Sequence, residues 1–246
     1  MIPSEPEPPP ISEQLPATVP APFWGYADAL FFVSLCFPTL LIAALLVRAF
    51  SALTPLGKPF QGLFAQLIWY VFLFGSLYAL LRLRYGQPFW RSLGWTLPVT
   101  SLIASFLAGP VLAVAVGLLG NVLRTPEISL PFQQMLDNRP TIVLFAIFVV
   151  VLGPVCEELA FRGFLMPLVM RSFGAVTGIL ATALLFGCLH APEYGFHWQH
   201  VVLISTAGAV FGWVRFRTGS TAVAAVMHST YNLTQFAAFL AQNRSI

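Results

Sequence analysis

The chain has 246 residues and is poor in charge: only 9% of its residues are Asp, Glu, Lys or Arg, whereas 58% are hydrophobic. Soluble domains carry roughly 25% charged residues. A surface with so few charges cannot face water over most of its area, and the mean hydropathy is +0.82. The composition therefore predicts an all-α, polytopic transmembrane helical bundle. At ~20 residues a span, the length allows about seven spans, within a range of about six to eight.

Cysteine is also scarce, and the basic residues form no cluster. Cys36, Cys156 and Cys188 lie in apolar segments and lack the spacing of a zinc knuckle or a disulfide framework, so they are predicted to be buried small hydrophobic residues. A thiol nucleophile at Cys156 is disfavoured, because a thiol beside carboxylates in lipid is inert. The absence of a basic stripe argues against nucleic acid as a partner. The basic residues are typical of loop charges that set membrane topology.

The first 22 residues lack both the basic start and the apolar core of a cleavable signal peptide. Proline is frequent in this stretch, and its only charged side chains are glutamates. Such a composition predicts a disordered, extended tail over residues 1–22, followed by a single membrane domain over residues 23–246.

Long apolar runs define the predicted spans of this domain. They cover approximately residues 29–47, 62–81, a stretch within 92–123, 141–153, 175–189, 201–214 and 221–240. Gly153-Pro154 is predicted to break or kink the fourth span, and Ser172 to Gly174 to form the turn before the fifth. More arginines fall on the N-terminal side of such a bundle than on the other, which favours an N-inside orientation. We expect a multi-pass protein of the cell membrane.

A few ionisable or strongly polar groups interrupt the apolar runs. They are Glu157, Glu158, Arg162, His190, His228 and Asn232. A charge at bilayer depth costs ~2.5–3.5 kcal/mol even on the lenient insertion scales, so such residues usually mark a function. Together they provide carboxylates, imidazoles and an amide, which are the groups that a hydrolase uses.

The two adjacent glutamates are predicted to have different roles. On a helix, Glu158 and Arg162 are four residues apart and share one face, so they can form an ion pair. Glu157 lies about 100° around the helix from Glu158 and stays unpaired. An unpaired carboxylate suits general-base work on water. The alternative is that the ion pair only stabilises the fold of a membrane scaffold or a transporter. In a transporter Glu157 would be the proton carrier.

Depth in the bilayer links these residues to the histidines. Glu157 precedes the turn at residues 172–174 by about 15 residues and His190 follows it by about 16, so both lie roughly 22–24 Å from it. His228 and Asn232 share a face of the last span at a similar depth. We therefore expect Glu157 and His190 to hold and deprotonate a water, and His228 and Asn232 to stabilise an oxyanion. Phe186, one turn before His190, is expected to orient its ring.

A metal site is the alternative to a metal-free one. His190, Glu193, His197 and His200 crowd one loop and could bind zinc, as could His190, His228 and a glutamate. However, Pro192 interrupts any helix there, and no His-Glu-x-x-His pattern occurs. No cofactor is therefore expected, with zinc kept as the alternative.

Three motifs resemble those of the CPBP family of intramembrane proteases, which includes the eukaryotic CAAX prenyl endopeptidase. The motifs Glu-Glu-x-x-x-Arg, Phe-x-x-x-His and His-x-x-x-Asn are present as Glu157-Glu158 with Arg162, Phe186 with His190, and His228 with Asn232. The resemblance covers roughly residues 140–240.

This resemblance implies an α-helical, glutamate-type membrane endopeptidase that cleaves near the C-terminus of membrane-associated protein substrates. In that family the first glutamate and the second-motif histidine are thought to activate water, and the last histidine and asparagine to form the oxyanion site. Those roles fall on Glu157, His190, His228 and Asn232. Some bacterial members are tied to bacteriocin self-immunity, so a non-catalytic scaffold or immunity protein is a second hypothesis. The expected partners are membrane lipids and a membrane-associated protein or peptide.

Overall fold

The computed structural model describes residues 21–54, 56–127 and 139–242. The architecture is all-helical, with 87% helix and no strand among these residues. The α-helices are α1 (Tyr26–Leu53), α2 (Lys58–Ala79), α3 (Phe89–Ser92), α4 (Val99–Val122), α5 (Arg139–Ile147), α6 (Gly153–Glu158), α7 (Met166–His190), α8 (Trp198–Thr218) and α9 (Thr221–Gln242). Three π-helical segments join or extend them: Leu80–Arg84, Phe148–Leu152 and Leu159–Leu165. Residues 1–20 of the predicted tail lie outside the described residues.

Four helical stretches are long and apolar enough to cross a membrane. They are Tyr26–Leu53, Phe60–Arg84, Val99–Val122 and Pro140–Tyr194. Only 17–28% of their most apolar windows is buried inside the bundle, so most of their apolar surface is left to face lipid. The predicted all-α membrane bundle is confirmed. The count of about seven spans is not, because α8 and α9 form where the last two spans were predicted and are long enough, at 21 and 22 residues, but are not apolar enough to be candidate spans.

Of the predicted break or kink at Gly153-Pro154, the break is absent. Instead the π-helical segment Phe148–Leu152 precedes α6, and Gly153 N–H donates to the Phe148 carbonyl five residues back. Proline lacks an N–H and its ring clashes with the carbonyl four residues before it in an α-helix. The wider π turn accommodates Pro154 within a continuous helical path. A second π segment, Leu159–Leu165, precedes Pro167 in the same way.

The turn predicted at residues 172–174 is present. Gly174 has φ 82° and ψ 168°, a conformation that L-residues with a Cβ rarely adopt, and it divides α7 into two helical arms. The chain therefore reverses after Ser172, and the arm that follows carries Phe186 and His190 back into the bundle.

Two helix pairs pack backbone against backbone through glycine. A Cβ on Gly187 of α7 would lie 2.6 Å from the Val201 carbonyl oxygen of α8, and a Cβ on Gly109 of α4 would lie 2.6 Å from the Met227 carbonyl oxygen of α9. Small residues allow helices in membranes to approach this closely. These contacts fix α8 and α9, which provide the partners of the buried Arg162 and of both glutamates.

Most of the arginines lie at one end of the bundle. Arg171 Nη1 donates to the Pro22 carbonyl at 2.8 Å, which joins the N-terminal segment to the Gly174 turn. Thr221 Oγ1 donates to the Leu93 carbonyl at 2.6 Å, which joins the α8–α9 connection to the residue after α3. We call this the arginine end (residues 21–26, 82–96, 171–174 and 215–221). It carries Arg82, Arg84, Arg91, Arg171, Arg215 and Arg217.

Candidate active site

A fully buried ion pair lies at the centre of the site. Arg162 Nη1 donates to Glu158 Oε1 at 2.8 Å, and both side chains are 0% exposed. Arg162 Nη2 donates to the Gly208 carbonyl of α8 at 2.7 Å. The guanidinium carbon also lies 4.8 Å from the ring centroid of Phe186. The predicted pairing of Glu158 with Arg162 is therefore present, and it ties the π segment to α7 and α8.

His228 is held by this ion pair. Its Nδ1 lies 3.0 Å from Glu158 Oε1, and because a carboxylate accepts, Nδ1 donates. Its ring stacks on Phe211 with centroids 4.5 Å apart and planes at 21°. The residue is 4% exposed. These contacts fix the orientation of the imidazole and direct its other nitrogen, Nε2, toward Glu157.

Glu157 is the carboxylate without an arginine partner among the described residues. Its Oε2 lies 3.8 Å from His228 Nε2, too far for a direct hydrogen bond, and its side chain is 25% exposed. Both groups could bind one small polar molecule, because each would be within hydrogen-bond distance of an atom placed beside the gap. Glu157 was predicted to lie close to the intramembrane imidazoles, and the structure places it close to that of His228.

His190 is fixed by its own helix. Its Nδ1 lies 2.8 Å from the Phe186 carbonyl, so Nδ1 donates and a neutral ring keeps its lone pair on Nε2. The rings of Phe186 and His190 have centroids 4.5 Å apart, and Phe186 also meets His228 edge-on at 5.8 Å. Phe186 therefore lies between the two histidines, which agrees with its expected orienting role.

Asn232 contacts the π segment before Pro154. Its Nδ2 donates to the Val149 carbonyl at 2.8 Å. In a π-helix this carbonyl would accept from the residue five positions on, but that residue is Pro154, which has no N–H. Asn232 supplies the missing donor. One of its two N–H bonds is used here, and the other is available to a ligand.

Three polar residues near Glu157 were not predicted as part of a catalytic site. Glu193 lies within electrostatic range of Glu157 and His190. Tyr70 and Tyr194 lie within electrostatic range of Glu157. From the sequence, Glu193 is predicted only as an alternative zinc ligand. No sequence spacing points to Tyr70, because α2 reaches the site only through tertiary packing.

The residues proposed as zinc ligands do not form a ligand set. Across residues 21–54, 56–127 and 139–242, no group of three or more His, Cys, Asp or Glu side chains is arranged to hold a metal ion. His200 Nε2 instead lies 3.2 Å from the Pro126 carbonyl, and its ring stacks on Tyr194.

The cysteines differ from the prediction that they are buried. Cys36 and Cys156 are half-buried and Cys188 is exposed. They lie on apolar helices whose outer surface is itself apolar, so a small hydrophobic residue needs no enclosure there.

One comparison with known protein families covers the residues of this site. Residues 139–234 match a family model, and that match covers both glutamates, both histidines and the asparagine. The matched region is similar to the CAAX-type intramembrane endopeptidases. The family is described as type II CAAX prenyl endopeptidase Rce1-like, which confirms the resemblance drawn from the three motifs. No curated protein and no solved structure matches the chain.

Proposed function

We propose that this protein is a multi-pass protease of the cell membrane that hydrolyses a peptide bond in membrane-associated substrates with CAAX-like C-termini. The observation that carries the proposal is that the two adjacent glutamates differ in burial and in partners. Glu158 is fully buried and paired with Arg162, whereas Glu157 is partly exposed, without an arginine partner among the described residues and 3.8 Å from His228 Nε2. Glu158 therefore stabilises the fold, whereas Glu157 is available for catalysis.

In the proposed mechanism Glu157 takes a proton from a water as the water oxygen attacks the scissile carbonyl carbon. His190 helps to hold this water through Nε2, because its Nδ1 is committed to the Phe186 carbonyl. The C–O bond forms, and the negative charge moves to the carbonyl oxygen. The C–N bond then breaks, and the proton held by Glu157 passes to the leaving amine.

His228 and Asn232 are proposed to stabilise the oxyanion. A protonated His228 donates from both ring nitrogens, so it can bind Glu158 through Nδ1 and the oxyanion through Nε2. Asn232 keeps one N–H for the same purpose while the other binds the Val149 carbonyl. Preorganised donors of this kind are worth ~2.7–4 kcal/mol each in hydrolases.

Water activation by Glu157 and His190 needs no metal, and no ligand set for one is formed by the described residues. We therefore propose a glutamate-type enzyme without a cofactor. Membrane lipids and the protein or peptide substrate are its proposed partners.

The test uses the purified full chain with peptides that end in CAAX-like and scrambled sequences, each with and without a prenyl group. Products are identified by mass spectrometry. We expect cleavage by the wild type near the CAAX terminus and none by His190→Ala. Glu127→Gln, on an exposed residue, is the control that should retain activity.

A chelator arm tests the metal-free mechanism separately. Activity that survives chelation supports it, whereas loss that zinc restores would overturn it. Two results together would favour the scaffold or immunity role instead. The folded wild type would cleave none of the peptides, and Glu157→Gln would restore the phenotype of cells that lack the wild-type protein.

A further inference from the structure

A cavity of about 600 Å³ lies at the arginine end, separate from the glutamates and histidines of the candidate active site. Segments distant in sequence line it: the N-terminal residues before α1, the stretch around α3, Pro167 of α7 and the end of α8. Its lining includes Arg91, Arg215 and Gln87. No Asp or Glu is found among the described residues that line it.

Arg215 is a buried cation without a carboxylate partner among the described residues. It is 2% exposed, and its Nε and Nη1 atoms are enclosed and make no hydrogen bond with any described residue. Among the described residues no carboxylate forms an ion pair with it, so burial of its charge is not offset by an opposite charge there. An enclosed, unpaired ion is unfavourable, and buried charges in proteins are usually paired with an opposite charge.

The backbone holds the guanidinium at the cavity wall. A Cβ on Gly94 would collide with the Arg215 guanidinium, and Gly94 has φ +70°, so glycine is needed here for space and for conformation. The Gly94 carbonyl accepts from Thr221 N at 2.9 Å. The connection from α8 to α9 thus fixes the loop against which the Arg215 side chain is packed.

We propose that this cavity binds a phosphate group, with Arg215 as its buried ligand and Arg91 as a second cation at its more exposed side. Guanidinium groups bind phosphate through paired hydrogen bonds. The surroundings favour an anion, because the arginine end has six arginines and the Asp28 carboxylate beside it is already within ion-pair distance of Arg84. An arginine-rich end also faces the leaflet in which anionic lipids are enriched. The phosphate can come from a lipid headgroup or from a free ion.

The experiment measures the melting temperature of the full chain in a neutral detergent as each probe is titrated. The probes are phosphatidylglycerol, diacylglycerol (which lacks the phosphate), inorganic phosphate and acetate. Each is tested on the wild type, on Arg215→Gln and on Arg217→Gln. Arg217 is the matched control, because it lies on the same helix but is exposed and contacts Trp213.

We expect phosphatidylglycerol to raise the melting temperature of the wild type and of Arg217→Gln. The lipid concentration that gives half of this rise, the midpoint, should be at least tenfold higher for Arg215→Gln. Diacylglycerol should have no effect. An equal response to inorganic phosphate would identify the free ion as sufficient, whereas a response to the lipid alone would identify the headgroup. If Arg215→Gln does not fold, Arg91→Glu takes its place and should raise the midpoint likewise.

Three results would overturn the proposal. They are an unchanged midpoint in Arg215→Gln, an equal response to acetate or diacylglycerol, and no response of the wild type to any phosphate probe. The proposal is independent of proteolysis, so none of these results bears on the catalytic mechanism.

Discussion

Arg162 is a charge completely enclosed by a membrane domain, and three kinds of contact compensate it. These are the Glu158 carboxylate, the Gly208 carbonyl and the faces of Phe186 and Phe211. Glu158 in turn orients His228, so one ion pair stabilises the fold and positions an imidazole of the candidate site. The pairing could be predicted from the sequence, because four residues separate its members. The contacts with Gly208 and Phe211 could not, since they depend on how α8 packs.

Replacement of Arg162 by leucine should therefore destabilise the protein strongly. Glu158 would keep a buried charge with His228 as its only described partner, and removal of one member of a buried pair costs ~3–5 kcal/mol. We expect this loss in the free energy of unfolding, measured by denaturation in detergent. Arg217→Leu, on an exposed residue, is the control. A change of under ~1 kcal/mol in Arg162→Leu would contradict the importance of the pair.

At the scale of the elements, the helix that carries both glutamates departs from α geometry before Pro154 and again before Pro167. Pro154 could be recognised from the sequence as a disruption of the helix, but the form of the disruption could not, because periodicity does not distinguish a broken helix from a π turn. The π turn leaves the Val149 carbonyl for Asn232. A local proline thus determines a long-range contact to the last helix, and only the folded chain shows it.

The close approach of α4 and α9 gives a test at this scale. Gly109→Ala places a methyl group 2.6 Å from the Met227 carbonyl oxygen, so the two helices must separate. Gly117, on the same helix, has nothing within 4 Å of its Cβ position. We expect Gly109→Ala to lower the melting temperature in detergent. Gly117→Ala should be neutral or stabilising, by up to ~1 kcal/mol, since alanine favours a helix more than glycine.

The two substitutions share one chemical change on one helix, so their difference isolates the packing contact. Equal melting temperatures for the two variants would show that α4 and α9 do not meet at Gly109.

At the scale of the whole molecule, charge is distributed unequally between the two ends of the bundle. The arginine end carries six arginines, and the helices between the ends expose long apolar surfaces, with Phe37 74% and Leu30 70% exposed. Composition was sufficient to predict a helical membrane protein. It could not predict the number of spans, because α8 and α9 are less apolar than the other long helices and pack against them. It also could not predict the cavity around Arg215, which four segments distant in sequence create.

This asymmetry predicts that the arginine end faces the cytoplasm. In a protein whose three native cysteines are replaced by alanine, Ser172→Cys marks the arginine end and Glu127→Cys the opposite end. We expect a membrane-impermeant maleimide added to intact cells to label the cysteine at position 127 alone, and the one at 172 only after lysis. The reverse labelling pattern would contradict the predicted orientation.

Glu157, and not its paired neighbour, is proposed to act as the general base. The most direct measurement is the rate of peptide cleavage per folded molecule by Glu157→Gln in liposomes, with Glu127→Gln as the control. We expect Glu157→Gln to fold with an unchanged melting temperature and to cleave ~10²–10⁴-fold more slowly, because a positioned general base contributes about that factor. Near-normal cleavage by a folded Glu157→Gln protein would contradict it.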